Sequence, residues 1–422
     1  MQHQASRRSF LLEAAGAAAF LPAAAAPLGK FSSLMAASTE DAESYWEMVR
    51  RQFSFRESKV PMNAANLCPS PRVVAERVTE LTHDIDVDCS FNNRGKFGEL
   101  LETARQKVAQ QLGVTADEIA LVRNTSEANN TINNGLSLKS GDEIVVWDQN
   151  HPTNNVAWDV RAARFGLTVK RVSTPQHPES VEQLIEVFES SLSPKTRVLA
   201  ITHVSNVSGI RLPARELCEL AHKRDIYAHV DGAQTWGALD VDLREMGCDS
   251  YTASAHKWLA GPKEVGLLYV KKERIPKIWP NIVAGRDIDP DVSGARRFES
   301  MGQRDDAALA AVGTAVDFHR AIGAKRIESR VYELANALKA GLKEAGFKFV
   351  TPLDAKLSAG VCIVDVLQQK QREVFNKLYY EHGIAGAAVR GLRLCPHIYN
   401  TREHIERTVS GIKEMRDLIV SG

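Results

Sequence analysis

From about residue 115 the chain alternates short apolar runs with longer amphipathic ones. "EIALVRN", "DEIVVWD", "LTVKRV", "TRVLAITHV" and "IYAHVD" have the length and β-branched content of buried strands. Between them, "SEANNTINNGL", "NNVAWDVRAARFG", "SVEQLIEVFESSL" and "ARELCELAHKRD" carry helical periodicity. Such alternation predicts a mostly parallel sheet covered by helices, an α/β fold. The pattern changes after "AGPKEVGLLYVKKERI". A nearly continuous helical stretch from about residue 307, broken by glycines, leads to "AGVCIVDV", a helix-like "QREVFNKLYYEHG" and "GLRLCPHIYN". This reads as a long helix bridging to a small carboxyl-terminal α/β domain. The division is residues 1–37 as a leader, 38–310 as the large domain with an amino-terminal segment packed on the small one, and 311–422 as the small domain.

The leader rests on "SRRSFLLEAAGAAAFLPAAAAP", in which Arg7-Arg8 precede Ser9, Phe10 and a mildly apolar, alanine-rich run. That is the pattern of a twin-arginine export signal, and it places the mature protein in the periplasm or another extracytoplasmic space. Glu13 and Pro22 interrupt the run and leave it short of the ~20 apolar residues of a membrane-spanning helix, so stable insertion is not expected. Several small-residue cleavage sites lie around Ala23 to Ala26 and again near Ala36 and Ala37.

Composition narrows the partners. The 422 residues are 44% hydrophobic and 25% charged, and the formal net charge is +1. Nothing there favours nucleic acid or an anionic membrane, so a small-molecule ligand is expected. The six cysteines, Cys68, Cys89, Cys218, Cys248, Cys362 and Cys395, form no C-x-x-C pair and read as structural thiols.

In open α/β sheets ligands bind beyond the carboxyl ends of the strands. Asp231 stands there in "AHVDGAQTWG", and Lys257 follows 26 residues later in "SAHKWLAGP". A pyridoxal phosphate site needs an amine to bond the aldehyde, an acid against the pyridine nitrogen, and donors for the phosphate. Lys257 can supply the first and Asp231 the second. Ser254 and His256 flank the lysine, while Thr125 and Ser126 open a helix whose free N–H groups suit an anion.

The ordered set "THVSNVSG", "AHVDGAQTWG", "SAHKWLAGPKEVGLLYV" and "LRLCPHIYNTREHIE" resembles the class V aminotransferase family of fold-type I pyridoxal phosphate enzymes, over about residues 55 to 420. That family includes cysteine desulfurases and isopenicillin N epimerase-like proteins. The resemblance implies a large domain built on a mostly parallel seven-stranded sheet, a small carboxyl-terminal α/β domain, pyridoxal 5'-phosphate as cofactor, and a homodimer.

It further implies Lys257 as the Schiff-base lysine, Asp231 at the pyridine nitrogen, and Gln234 at the ring hydroxyl with Asn206 on the same side. His151 would lie on the ring face, with Thr125, Ser126, Ser254 and His256 at the phosphate and Arg393 on the substrate α-carboxylate. Gln303 stands where many relatives place a threonine that reaches the partner subunit's phosphate. A desulfurase needs a cysteine in the loop ahead of Arg393, and "GIAGAAVRGLRLCPHIYN" has none there. Cys395, two residues past Arg393, would point the same way in an extended strand. The expected activity is transamination of an amino acid or of a peptide-borne residue, with epimerisation as the alternative and a non-catalytic cofactor-binding protein as a third.

Overall fold

The structure, a computed structural model, describes residues 43–283 and 294–419. The twin-arginine pair and its leader lie outside the described residues. Twelve strands, β1 to β12 in chain order, organise the described chain. The central sheet contains β2 (Ile119–Val122), β3 (Glu143–Trp147), β4 (Thr168–Val172), β5 (Thr196–Thr202), β6 (Tyr227–Asp231), β7 (Ser250–Ser254) and β8 (Gly266–Val270). It is seven-stranded, in the order β2-β8-β7-β6-β5-β3-β4. Every neighbour from β7 through β6, β5 and β3 to β4 is parallel, and β8 alone runs antiparallel, to both β7 and β2.

The five apolar runs in the sequence become β2 to β6, each within a residue or two of the expected span. Of the two remaining strands, β8 is the apolar run Gly-Leu-Leu-Tyr-Val, whereas β7 escapes an apolar pattern for a physical reason. In "SYTAS", the β7 segment, every residue is buried although three of the five carry a hydroxyl alone and a fourth is tyrosine. Burial is tolerated because each hydroxyl has a partner: Ser250 with His229 at 2.8 Å, Tyr251 with Thr235 at 2.8 Å, Thr252 with Asn129 at 2.7 Å and Ser254 with Thr125 at 2.7 Å. Those partners come from distant parts of the chain, so local hydropathy does not reveal the strand.

The small domain holds a three-stranded antiparallel sheet, β11 (Ala387–Ala388), β12 (Leu392–Leu394) and β9 (Cys362–Val364). Its edge is joined to the amino-terminal segment. Strand β1 (Val60–Pro61) pairs in parallel with β10 (Ile384–Ala385), and Asn63 bridges Cys395.

Residue 310, where the sequence pattern puts the domain boundary, falls inside helix Asp306–Ile322, and the helical run breaks instead at Gly323, whose φ is +99°. The next helix, Ala324–Glu344, passes from one core to the other. Ile327 and Val331 pack in the core beneath the central sheet, whereas Leu334, Leu338 and Leu342 pack in that of the small domain. This rod of spacing i, i+4, i+7, i+11, i+15 ties the two cores and so fixes how the small domain faces the strand ends.

At the carboxyl end of β6 the chain must pass beneath Tyr251. A Cβ on Gly232 would lie 1.9 Å from the phenol ring, which is itself buried and cannot yield. Gly232→Ala is therefore expected to destabilise the fold by at least about 3 kcal/mol. Thermal unfolding of the variant beside the wild type checks this.

Candidate active site

Registers across β5, β6 and β7 set Thr202, Asp231 and Thr252 side by side at the carboxyl edge of the sheet. Beyond that edge lies a cavity of about 270 Å³. Its walls include Thr125, Ser126, His151, Asn206, Asp231, Gln234, Ser254, His256, Lys257 and Arg393, ten of the eleven residues singled out in the sequence. The eleventh, Gln303, is exposed outside the cavity, where it accepts from the Arg94 guanidinium at 2.9 Å and donates to the Arg304 carbonyl.

Asp231 is 1% exposed and both its oxygens are held. Oδ1 accepts the Ala233 N–H at 3.0 Å and Oδ2 accepts Nδ2 of Asn129 at 2.9 Å. Because a carboxylate only accepts, Asn129 must turn its amide nitrogen to Asp231 and its carbonyl away. That carbonyl takes the Thr252 hydroxyl at 2.7 Å and Nε2–H of His229 at 3.1 Å, and His229 Nδ1 in turn accepts the Ser250 hydroxyl at 2.8 Å. Burial holds His229 neutral, its pKa pushed down to about 4 against the opposing pull of Asp231, so one proton arrangement satisfies the whole network.

Sequence reasoning did not select Asn129. Its signal was available: it lies four residues after Thr125 on helix Thr125–Gly135, hence on the same face.

Lys257 follows β7 in a tight turn closed by the Gly261 N–H to Ala255 carbonyl bond at 2.7 Å, with Ala260 at φ +53°. The turn is pinned from outside by the Cys68 N–H on the His256 carbonyl at 2.8 Å. Burial pushes the Lys257 pKa below its ordinary value, Asp231 opposes that, and Arg393 adds to it. A larger share of the amine is thus unprotonated, and nucleophilic, than on a surface lysine.

At the next wall, Thr125 N–H donates to the Ser254 hydroxyl at 2.8 Å, bringing the first turn of helix Thr125–Gly135 against the end of β7. His256, its pKa lowered to about 4 by burial first and then by Lys257 and Lys263, is neutral and offers an uncharged N–H. His151 is likewise lowered, by burial and then by Lys257. Its Nδ1 accepts the Thr153 N–H at 3.3 Å as the cap of helix Pro152–Phe165, so the ring proton sits on Nε2.

Gln234 is oriented by Trp258, whose indole N–H donates to Oε1 at 2.8 Å, and by the Ala65 carbonyl, which accepts from Nε2 at 3.1 Å. Arg393 is 5% exposed; Nη1 donates to the Asn206 carbonyl at 3.0 Å and Nη2 to Asn63 Oδ1 at 3.1 Å, while the buried Nε has no partner among the described residues. Asn63 and Ala65, from the amino-terminal segment, had no signal in the sequence because only tertiary pairing with the small domain brings them here.

Cys395 does not point with Arg393. It is fully buried in the main core, and burial pushes its thiol pKa up, so it stays an inert thiol. Among the described residues no cluster of His, Cys, Asp and Glu suits a metal ion, and no helix is long and apolar enough to cross a membrane.

A depressed lysine and a fixed carboxylate share one cavity with a helix amino terminus and an arginine that has a buried, unmatched N–H. This donor set fits pyridoxal phosphate, and with the sheet order it defines a fold-type I pyridoxal phosphate enzyme. The aminotransferase class-V family model matches residues 68–410, and the chain belongs to that family.

Isopenicillin N epimerase of Amycolatopsis lactamdurans is 30% identical over 392 residues, covering 88% of this chain and 98% of that protein. A probable cysteine desulfurase of Halalkalibacterium halodurans is 30% identical over 344 residues, covering 75% of this chain and 82% of the relative. Among solved structures, apo cysteine desulfurase from Thermococcus onnurineus NA1 superposes with a TM-score of 0.79 at 23% identity, covering 87% of this chain and 97% of that one. That likeness is one of fold.

Because Asp231 raises the proton affinity of Lys257, Asp231→Asn is expected to lower the lysine pKa further. Loading of the apoprotein with pyridoxal phosphate, followed by absorbance across pH, will rise through a midpoint below that of free lysine in the wild type and at lower pH still in the variant. Asn129→Leu leaves one carboxylate oxygen without its donor and is expected to weaken cofactor affinity by about tenfold. Equilibrium titration of the apoprotein measures it.

Proposed function

We propose that this protein is a pyridoxal phosphate enzyme acting at the α-carbon of an amino acid, or of a residue carried by a peptide, and that its reaction is transamination. The observation that carries this reading is the position of Lys257, an amine of lowered proton affinity sharing its cavity with Asp231 and Arg393. When bound, the cofactor supplies the electron sink that acidifies the substrate α-proton.

The chain's own groups do the rest. Arg393 binds the α-carboxylate through its fork, with Nε available as a further donor. Lys257 Nζ takes the proton from the α-carbon as general base and delivers it elsewhere on the same face. Asp231, kept in place by Asn129 and the Ala233 N–H, holds a proton at the ring nitrogen. His151 and the protein walls around it exclude water from that face.

Epimerisation is the second reading, favoured by the 30% identity to isopenicillin N epimerase across nearly the whole of that protein. It needs a second acid to return the proton from the opposite side, and neutral His151, protonated on Nε2, is the candidate. Desulfuration, the activity named for the Halalkalibacterium halodurans relative, is disfavoured because the β11–β12 hairpin ahead of Arg393 holds no cysteine and Cys395 is buried. A non-catalytic role is disfavoured by the completeness of the proton-handling set.

We propose also that the Arg7-Arg8 leader exports the protein, and that a homodimer brings Gln303 to the neighbouring subunit's site. Cell fractionation with Arg7→Lys and Arg8→Lys replaced together tests the first, since loss of the periplasmic pool is expected. Sedimentation of the wild type tests the second.

Lys257→Ala is expected to lower kcat/KM by about 10³-fold or more. Arg393→Lys should raise KM for the α-carboxylate substrate by about 10- to 100-fold with a smaller change in kcat. Running the reaction in D2O separates the two chemistries. Accumulation of a keto acid supports transamination, whereas deuterated amino acid of inverted configuration without keto acid overturns it in favour of epimerisation.

A further inference from the structure

Every backbone carbonyl from residue 256 to residue 259 has a donor. That of Lys257 accepts the Ala260 N–H at 2.8 Å within the turn, and the others are held by groups from elsewhere in the chain. The His256 carbonyl accepts the Cys68 N–H, the Trp258 carbonyl accepts Nε2–H of His397 at 2.6 Å, and the Leu259 carbonyl accepts from the imidazole of His319 on helix Asp306–Ile322. Two histidines thus grip the chain directly behind the lysine.

Because a carbonyl only accepts, His397 carries its proton on Nε2, and its bare Nδ1 is buried with no partner among the described residues. Burial first, and then His319, pushes its pKa down to about 3 against the pull of the Trp258 carbonyl, so the ring is neutral. The rings packed around it are those of Trp258, Tyr399 and His319, at centroid distances of 5.3, 5.5 and 6.4 Å. None is charged: burial holds Tyr399 well above its ordinary pKa and lowers that of His319 to about 4. This imidazole is a fixed donor.

His397 lies on the segment that follows Arg393. Its own N–H donates to Asn400 Oδ1 at 2.9 Å, and Asn400 Nδ2 donates to the Pro61 carbonyl at 3.0 Å, so the segment is anchored to the same amino-terminal stretch that positions Arg393. The residue it grips serves the site through its side chain, since the Trp258 indole N–H orients Gln234. That indole is tightly confined: a Cβ on Gly360 would lie 2.6 Å from it. A single contact therefore bears on Lys257 through the backbone and on Gln234 through the indole.

We propose that His397 is a positioning residue, which by holding the Trp258 carbonyl sets Lys257 and Gln234 from the segment that carries Arg393. The inference rests on the reading of the Lys257 cavity given above and deepens it. Loss of the donor leaves a buried carbonyl unsatisfied, and the turn relaxes to recover a partner from water. Water beside Lys257 weakens the desolvation that depresses its proton affinity.

The test compares His397→Gln with His397→Met. The glutamine amide reaches about as far as the imidazole Nε2 and donates, whereas methionine has similar length and no donor. In His397→Met, kcat is expected to fall by about tenfold or more with KM changed less than about twofold, because the Arg393 contacts remain. The midpoint of holoprotein absorbance across pH should move up, toward ordinary lysine, by about half a pH unit or more. His397→Gln should restore most of both. Thermal unfolding of both variants accompanies these measurements, because a merely structural role lowers stability without moving the absorbance midpoint.

A wild-type midpoint and kcat in His397→Met, or a His397→Gln protein no better than His397→Met, overturns the positioning role and leaves the catalytic reading intact. Nitrogen NMR of the histidine-labelled wild type needs no variant to fold: a neutral ring protonated on Nε2 is expected, and a charged ring or one protonated on Nδ1 overturns the role. If the wild type does not take up pyridoxal phosphate at all, the reading of the Lys257 cavity falls and takes this inference with it.

Discussion

A single buried anion organises this protein. Asp231 is almost wholly removed from water, a position that is costly for a charge unless hydrogen bonds replace the solvent. The replacement comes from the Ala233 backbone and from Asn129, and Asn129 can donate only because Thr252 and His229 occupy its carbonyl. The polar strand β7, the neutral His229 and the placement of helix Thr125–Gly135 are all consequences of holding that carboxylate in one orientation. The same carboxylate limits how far burial, aided by Arg393, can depress Lys257, so the amine's proton affinity is set by desolvation and two opposed nearby charges.

The other half of the site depends on architecture at longer range. Arg393 sits on a strand of the small domain, yet its guanidinium is positioned by Asn206 of the large domain and Asn63 of the amino-terminal segment. Helix Ala324–Glu344 carries apolar rows into both cores, which sets the distance between Arg393 and Lys257. What holds the domains together therefore also holds Arg393 and Lys257 in one cavity.

Much of this was legible along the chain. Strands β2, β3, β5 and β6 declare themselves as apolar runs because a sheet covered on both faces buries nearly every residue of its strands, whereas the edge strand β4 buries only Val172. Lys257, Asp231 and most of their neighbours were legible because they stand where strands end, and strand ends are where an open α/β sheet presents its chemistry. Strand β7 was hidden for the opposite reason: its hydroxyls look like loop until their distant partners are known.

The sequence by itself determined the class of chemistry, since a lysine, an aspartate, an arginine and a helix start in fixed order are local facts of residue type and spacing. Tertiary structure alone decided that Asn129 holds Asp231, that Asn63 holds Arg393 and Ala65 holds Gln234, that Cys395 turns into the core, and that the helical run breaks at Gly323. Each of those is a contact between segments far apart in the chain, or a choice of side-chain direction made by packing. Such features leave no periodicity or spacing to read, because they arise only when separate elements are brought within hydrogen-bond or van der Waals reach.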